Sequence, residues 1–312
     1  MKVAFVTYKS FYTENKSTRY ASRECLGLTR SDNKVRLFLK KNNIDCEPFS
    51  WDDQCCDINN YDMFIIRSAW NYYHSDKNFK AFMKFIKTIE SRVYNYTDTI
   101  RWNAHKSYLY DLKSKGIPTV PTLFIPDMNS FNSESILHFI GSEEYVIIKP
   151  CISGAGRNSY CLPLSSIRYT SIDNIKSKLS SEGITEIIVQ PFIKPILYKG
   201  ELSIIFFRDK LSHAVRKLPK ETDIFKHYKT FLARQVPKEA LMIAEESLLA
   251  SYEVLGLKRG SHLFARVDLI PDNKNKYLLS ELELIEPDLF LQYHKESIET
   301  FGTQILNTII KP

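Results

Sequence analysis

Four ionisable residues near the C-terminal end carry the strongest chemical signal: Arg266, Asp268, Glu281 and Glu283. They fall in two largely apolar runs, Phe264–Ile270 and Tyr277–Ile285, joined by the turn Pro271–Lys276. Together these read as a β-hairpin. Side chains alternate faces along a strand, so Arg266 and Asp268 share one face and Val267 and Leu269 the other. On the second strand Glu281 and Glu283 share a face, with Leu282 and Leu284 opposed. A turn that pairs Ile270 with Tyr277 sets Arg266 opposite Glu281. One hairpin face then holds three carboxylates and one guanidinium. Buried like charges repel unless something compensates them, and a hard divalent cation on oxygen ligands does so. The competing reading is a solvated sheet face with surface ion pairs.

A second constellation follows an apolar strand, Tyr145–Lys149. Lys149 precedes a loop of small residues, Cys151–Ser159, that includes Ser153, Gly154 and Gly156. Small side chains let backbone N–H groups approach phosphate oxygens, and a lysine adds a point charge. Glycine is scarce in this chain, 10 of 312 residues, so two in one loop are informative. The loop has neither the G-K-[ST] of a P-loop nor G-x-G-x-x-G, and an ordinary turn is the competing reading. A third piece is the apolar run Ile187–Phe192, followed by Lys199-Gly200-Glu201. Backbone groups at a strand end suit an adenine edge. A carboxylate about ten residues later suits ribose hydroxyls, unless Glu201 is a plain surface acid.

These groups need a scaffold. Val3–Thr7 and Met63–Arg67 read as buried strands, and Lys34–Asn42 and Phe79–Ile89 as helices. Such alternation predicts an α/β domain with a parallel sheet. Asn103 reads as an N-cap and Gly116 as a helix-ending glycine. The helix between them, Ala104–Lys115, carries Lys106. Strands follow at Glu186–Gln190, Leu202–Arg208 and Ala214–Leu218, then a helix at Lys238–Leu255. The fold class is α/β, with a mixed α+β C-terminal half.

Composition is that of a globular protein: 44% hydrophobic and 25% charged residues, net charge +7. The small positive surplus fits an anionic partner. No recognition helix, RNP signature or zinc-finger spacing is present, so a nucleic-acid partner is disfavoured. Six cysteines show no metal or disulfide spacing and read as reduced thiols of a cytoplasmic protein. The start, Met1–Thr7, reads as a short strand rather than a signal peptide. No apolar run is long enough for a membrane span.

The order of these pieces resembles the ATP-grasp superfamily over roughly residues 95–295. Within it the chain is similar to the glutathione-synthetase-like group, and most similar to the D-cycloserine synthetase (O-ureido-serine cyclo-ligase) branch. The stretches that carry this are Ile66–Tyr72 (IRSAWNY), Val93–Tyr96, Trp102–Leu109, Leu211–Lys217 and Glu281–Pro287. The resemblance implies an N-terminal α/β domain (1–100), a lid subdomain (101–190) and a C-terminal subdomain with the metal and catalytic residues (191–312). It implies that Lys106 and Lys149 contact nucleotide phosphates and that Ser153, Gly154 and Gly156 belong to a mobile lid. Gln190, Phe192 and Ile193 would meet adenine, and Glu201 the ribose. Asp268, Glu281 and Glu283 would ligate Mg²⁺, as two ions, with Mn²⁺ able to substitute. Arg266 and Lys149 would face the transferred phosphoryl group.

The implied activity is an ATP-dependent carboxylate–amine ligase working through an acyl phosphate on an amino-acid-like or small peptide-like substrate. A small-molecule kinase and a non-enzymatic basic nucleic-acid binder are the alternatives. A homodimer is the default expectation from relatives. Arg67, Trp70 and Tyr72 follow a strand's C-terminal end, where open α/β sheets bind ligands, and are substrate-side candidates. His213 and Lys217 are further candidates. The chain departs from the branch at Pro219–Gln235, which lacks the expected glycines. Lys217 just before it and Lys226, His227 and Lys229 in it suit an acidic substrate or a solvated basic loop.

Overall fold

The computed structural model describes residues 1–15, 22–169, 171–220 and 223–310. Three sheets organise it. The first is all parallel, in the order β2-β1-β3-β4: β1 (Lys2–Thr7), β2 (Asp45–Ser50), β3 (Met63–Ile66) and β4 (Val93–Tyr94). Val3, Ala4, Phe5 and Val6 are all fully buried, as expected of a parallel strand covered on both faces. The helix Asp76–Thr88 covers one face through Phe82 and Ile86. The helix Arg30–Lys41 covers the other through Val35 and Leu39.

The second sheet is antiparallel, ordered β5-β8-β6-β7: β5 (Leu123–Ile125), β6 (Tyr145–Pro150), β7 (Tyr160–Pro163) and β8 (Ile187–Pro191). The third is also antiparallel, ordered β11-β10-β9-β12-β13: β9 (Glu201–Phe207), β10 (Lys210–Lys220), β11 (Asp223–Leu232), β12 (Phe264–Pro271) and β13 (Tyr277–Glu283). The helix Lys238–Leu255 packs on it through Ala240, Ile243, Ala244 and Leu248. Its other face shares a core with the first sheet, where Phe207, Val215 and Phe264 meet Val3, Phe5, Ile65 and Phe301. Asn95, fully buried, ties the two sheets together. Its amide donates to the carbonyls of Phe264 (2.9 Å) and Leu284 (2.7 Å), and its oxygen accepts from Leu263 N–H (2.6 Å). Among the described residues no helix is long and apolar enough to cross a membrane.

Three expectations need correction. The stretch Ala104–Lys115 is not one helix. Asn103 ends the helix Thr97–Asn103, and a second helix runs Tyr108–Ser114. Lys106 lies in the turn between them because its backbone N–H is claimed by Cys151 O at 2.9 Å rather than by a helical carbonyl. Asn103 is therefore no N-cap; its side chain bonds the backbone of the chain at Leu282 and Leu284.

The hairpin register also differs. Pro271 pairs Tyr277 and Ile270 pairs Leu278, and a bulge follows between Asp268 and Leu269, leaving Ser280 extra. Asp268 then pairs Glu281, and Arg266 pairs Glu283. The bulge keeps Leu279 and Leu282 buried while all three carboxylates stay on one side. Finally, Pro219–Gln235 is no free loop: β11 pairs with β10 from Val215↔Leu232 to Lys220↔Asp223. The side chains of Lys226 and His227 lie outside the described residues.

Candidate active site

The three sheets border one cavity of about 440 Å³. Its floor is the β12–β13 hairpin face. Arg266 forks onto Asp268 with Nε–Oδ1 at 3.0 Å and Nη2–Oδ2 at 2.8 Å, and it also bonds Glu283. Ser203 on β9 lies beside Asp268 in the ladder and donates to its Oδ1 at 2.5 Å. Lys217 on β10 pairs with Asp268 at 3.4 Å and with Glu201 at the start of β9. Carboxylate oxygens of Asp268, Glu281 and Glu283 lie within 4.8 Å of one another.

Facing this floor are two lysines from other elements. Lys149, near the end of β6, and Lys106, in the inter-helix turn, each place Nζ 3.7 Å from Glu281 Oε1. Lys106 Nζ also donates to Ser153 O at 3.0 Å, which ties it to the small-residue loop. Gly156 has φ +68°, a conformation that costs glycine little. Gly154 is needed for a different reason: a Cβ there would lie 2.6 Å from the Tyr73 ring.

The electrostatics divide the acids. Burial alone would raise Asp268, but Arg266 and Lys217 outweigh it and hold the carboxyl well below the usual range. Lys106 and Lys149 likewise outweigh burial at Glu281 and lower it. Glu283 goes the other way. Burial pushes it up to about 7 against the pull of Arg266. Glu286 rises to about 8 through burial and then repulsion from Glu283. Two raised carboxyls, Glu283 within the oxygen triad and Glu286 beside it, mark a site short of positive charge. Three convergent carboxylates are the donor set a hard divalent cation takes, so the residues fit Mg²⁺.

A family model for the N-terminal domain of D-cycloserine synthetase DcsG matches residues 3–95. The cycloserine biosynthesis protein DcsG of Streptomyces lavendulae is 26% identical over 280 residues, 86% of this chain and 90% of that protein. A crystal structure of D-cycloserine synthetase DcsG superposes with a TM-score of 0.82 at 19% identity, covering 99% of both chains. D-Alanine–D-alanine ligase from Bacillus anthracis, complexed with ATP, gives a TM-score of 0.64 at 16% identity, covering 100% of this chain and 96% of that one. This chain has the ATP-grasp fold.

On this ATP-grasp fold the expected residues do not all converge. Lys106, Lys149, Ser153, Gly154, Gly156, Glu201, Lys217, Arg266, Asp268, Glu281 and Glu283 line the cavity, with Trp70 and Tyr72. Arg67 and His213 do not. Arg67 is 4% exposed, paired with Asp32 at 2.9 Å, and its guanidinium lies over Phe264 and Phe301. His213 is buried and stacks on His294 with ring centroids 5.3 Å apart. Arg67 instead borders a neighbouring pocket with Asp32 and Trp70, and His213 packs beside His294, so neither reaches this cavity. Gln190, Phe192 and Ile193 stand off the lining. Gln190 donates to Thr122 Oγ1 at 2.9 Å, Phe192 packs edge-on against Tyr145, and Ile193 O accepts from Ile196 N–H.

Sequence reasoning passed over Tyr73, Asn103, Ser203, Glu286 and Asp288. Ser203 had a usable signal, since it shares a strand face with Glu201 two residues earlier. Glu286 and Asp288 continue the acidic spacing of Glu281 and Glu283 beyond β13, but strand periodicity does not extend past the strand.

Proposed function

We propose that the protein is an ATP-dependent carboxylate–amine ligase acting on amino-acid-like substrates, with Mg²⁺. One observation carries this reading: the carboxylate face of β12–β13 lies against two lysines from separate elements across a single cavity. A carboxylate is a poor electrophile because its leaving group would be oxide. Attack of a substrate carboxylate oxygen on the γ-phosphorus of ATP expels ADP and gives an acyl phosphate. The amine nitrogen then adds to that carbonyl, the C–O bond to phosphate breaks, and the amine proton is lost.

Each residue's part follows from its position. Lys106 and Lys149 hold phosphate oxygens, and the Ser153–Ser159 loop covers them and excludes water. Arg266 stabilises charge on the moving phosphoryl group. Asp268, Glu281 and Glu283 hold the magnesium, which we take as two ions with Mn²⁺ able to substitute. The metal supplies charge neutralisation on the phosphates. Glu201 receives ribose hydroxyls, and Gln190, Phe192 and Ile193 offer the strand end to adenine once the second sheet closes. The three-part division at residues 100 and 190 belongs to the same proposal, with one adjustment. Tyr108, Leu109, Leu112 and Ile117 pack into the core of the third sheet, so the segment around Lys106 travels with that sheet.

The test is release of ADP and phosphate with Mg²⁺ and a broad panel of amino acids. Release of both supports the ligase. A stable phosphorylated product without phosphate favours the kinase alternative. ATP binding without release on any amine sinks the ligase reading.

A further inference from the structure

The cavity continues past the lysines to an end for which the nucleotide has no use. Trp70, Tyr72 and Tyr73 wall it, and Glu286 stands among them. These walls are braced. Tyr72 stacks on Phe82 with centroids 4.7 Å apart and meets Tyr73 at 5.1 Å, while Trp70 packs on Phe11 at 5.7 Å. The backbone of Glu286 is fixed too, its carbonyl accepting from Trp70 Nε1 at 3.3 Å.

The carboxyl itself leans on the Tyr72 hydroxyl but has no cation paired with it. Its Oε2 is buried without a hydrogen-bond partner, and Glu286 enters no ion pair among the described residues. It lies outside the metal-ligand triad. The nearby cations are committed elsewhere: Arg266 to Asp268, Glu283 and the Asp288 carbonyl, and Lys106 to Ser153 O and Glu281. A buried carboxylate without a paired cation is costly, and a ligand that brings the cation in removes that cost. Aromatic faces beside a carboxylate favour an organic ammonium over a hydrated metal ion.

We propose that Glu286 receives the ammonium group of the amino-acid substrate, between the Tyr72–Tyr73 wall and Trp70, and so selects amino acids over hydroxy acids. This rests on the ligase reading and adds the group that the site recognises. Glu286 follows Glu283 by three residues, so the bound ammonium sits next to the phosphoryl-transfer centre.

The experiment measures ADP release by wild type and Glu286→Gln at saturating Mg·ATP. The probes are D- and L-alanine and D- and L-serine, with D- and L-lactate as the hydroxy-acid counterparts. Wild type should prefer an amino acid over its hydroxy analogue. Glu286→Gln should raise KM for that amino acid by about 10–100-fold, the loss of a charge-assisted hydrogen bond. Its KM for ATP should stay within about twofold, and its preference over lactate should collapse. An unchanged amino-acid KM with unchanged preference overturns the proposal and leaves the ligase reading standing. Equal use of lactate and alanine by wild type overturns it even if the variant does not fold. No release from wild type with any of these probes or the broader amino-acid panel overturns the ligase reading and the proposal together.

Discussion

Asn103→Ala tests how the carboxylate strand is held. Asn103 is 8% exposed and ends the helix Thr97–Asn103. Its amide donates to Leu282 O at 2.7 Å and its oxygen accepts from Leu284 N–H at 2.8 Å. Leu282 and Leu284 are buried, so alanine leaves one carbonyl and one N–H without partners. Each orphaned group costs about 1–3 kcal/mol, or roughly 2–6 kcal/mol for the two if they add. The better helix propensity of alanine returns only about 0.5 kcal/mol. Net destabilisation should be about 1.5–5.5 kcal/mol, read as a lower urea midpoint at constant m, followed by tryptophan fluorescence. Leu282 lies between Glu281 and Glu283, so ADP release should fall at least about tenfold, as expected for a small misplacement of catalytic groups. A loss below about 0.5 kcal/mol with unchanged turnover would refute the claim that this side chain positions the strand.

Three further outcomes follow from the site and its surroundings. Lys149→Ala and Glu281→Ala should each lower ADP release at least about 100-fold, the scale of one lost electrostatic stabiliser, with unchanged far-UV circular dichroism; wild-type-like release in either sinks the assignment. Chelation with EDTA should stop release and added Mg²⁺ should restore it, whereas turnover in metal-free buffer contradicts the carboxylate site. Burial lowers His213 to about 4 from 6.5, so the unfolded chain binds more protons between those values. The neutral ring's stability is present above pH 6.5 and is lost as pH falls toward 4, by up to about 3 kcal/mol. His213→Gln should flatten that acid limb in urea midpoints; parallel limbs argue against it.

The sequence carried the chemistry further than the geometry. Period-two alternation was enough to place Asp268, Glu281 and Glu283 on one face, because the leucines between them must be buried. The register was harder, since it depends on a bulge at Ser280. A trace of that bulge was legible: Leu279 and Leu282 are separated by two polar residues, which strict alternation forbids. Lys106 reads as helical by local propensity, and only a tertiary partner, Cys151 O, breaks the helix there. Arg67 and His213 stand outside the cavity, a placement the sequence does not show because buried ionisable groups look alike in it. Asp32 and the Phe264 and Phe301 rings account for the first, and His294 stacks on the second. β11 is an edge strand rich in charge, so its composition reads as loop even though its backbone pairs.

The charge balance of the cavity leads to one more consequence. Lys106, Lys149, Lys217 and Arg266 face Glu201, Asp268, Glu281, Glu283, Glu286 and Asp288, so acids outnumber bases. A triphosphate brought alone into such a site meets lysines and an arginine already engaged by carboxylates. A cation brought alone meets Glu281 already paired with Lys106 and Lys149. In the proposed reading the two ligands relieve each other. Phosphate oxygens take the lysines, Glu281 is released, and the freed carboxylate completes the metal set. Coupling between linked sites is typically about 1–3 kcal/mol, so Mg²⁺ should bind roughly 5–150-fold more tightly with a non-hydrolysable ATP analogue present than without it. Calorimetric titration of Mg²⁺ into the protein, with and without the analogue and corrected for metal bound by free analogue, measures this directly. Lys149→Met removes one of the two competitors, so it should strengthen metal binding in the absence of nucleotide and shrink the coupling. Equal Mg²⁺ affinity under both conditions, or weaker metal binding in Lys149→Met, would show that the lysines do not guard Glu281.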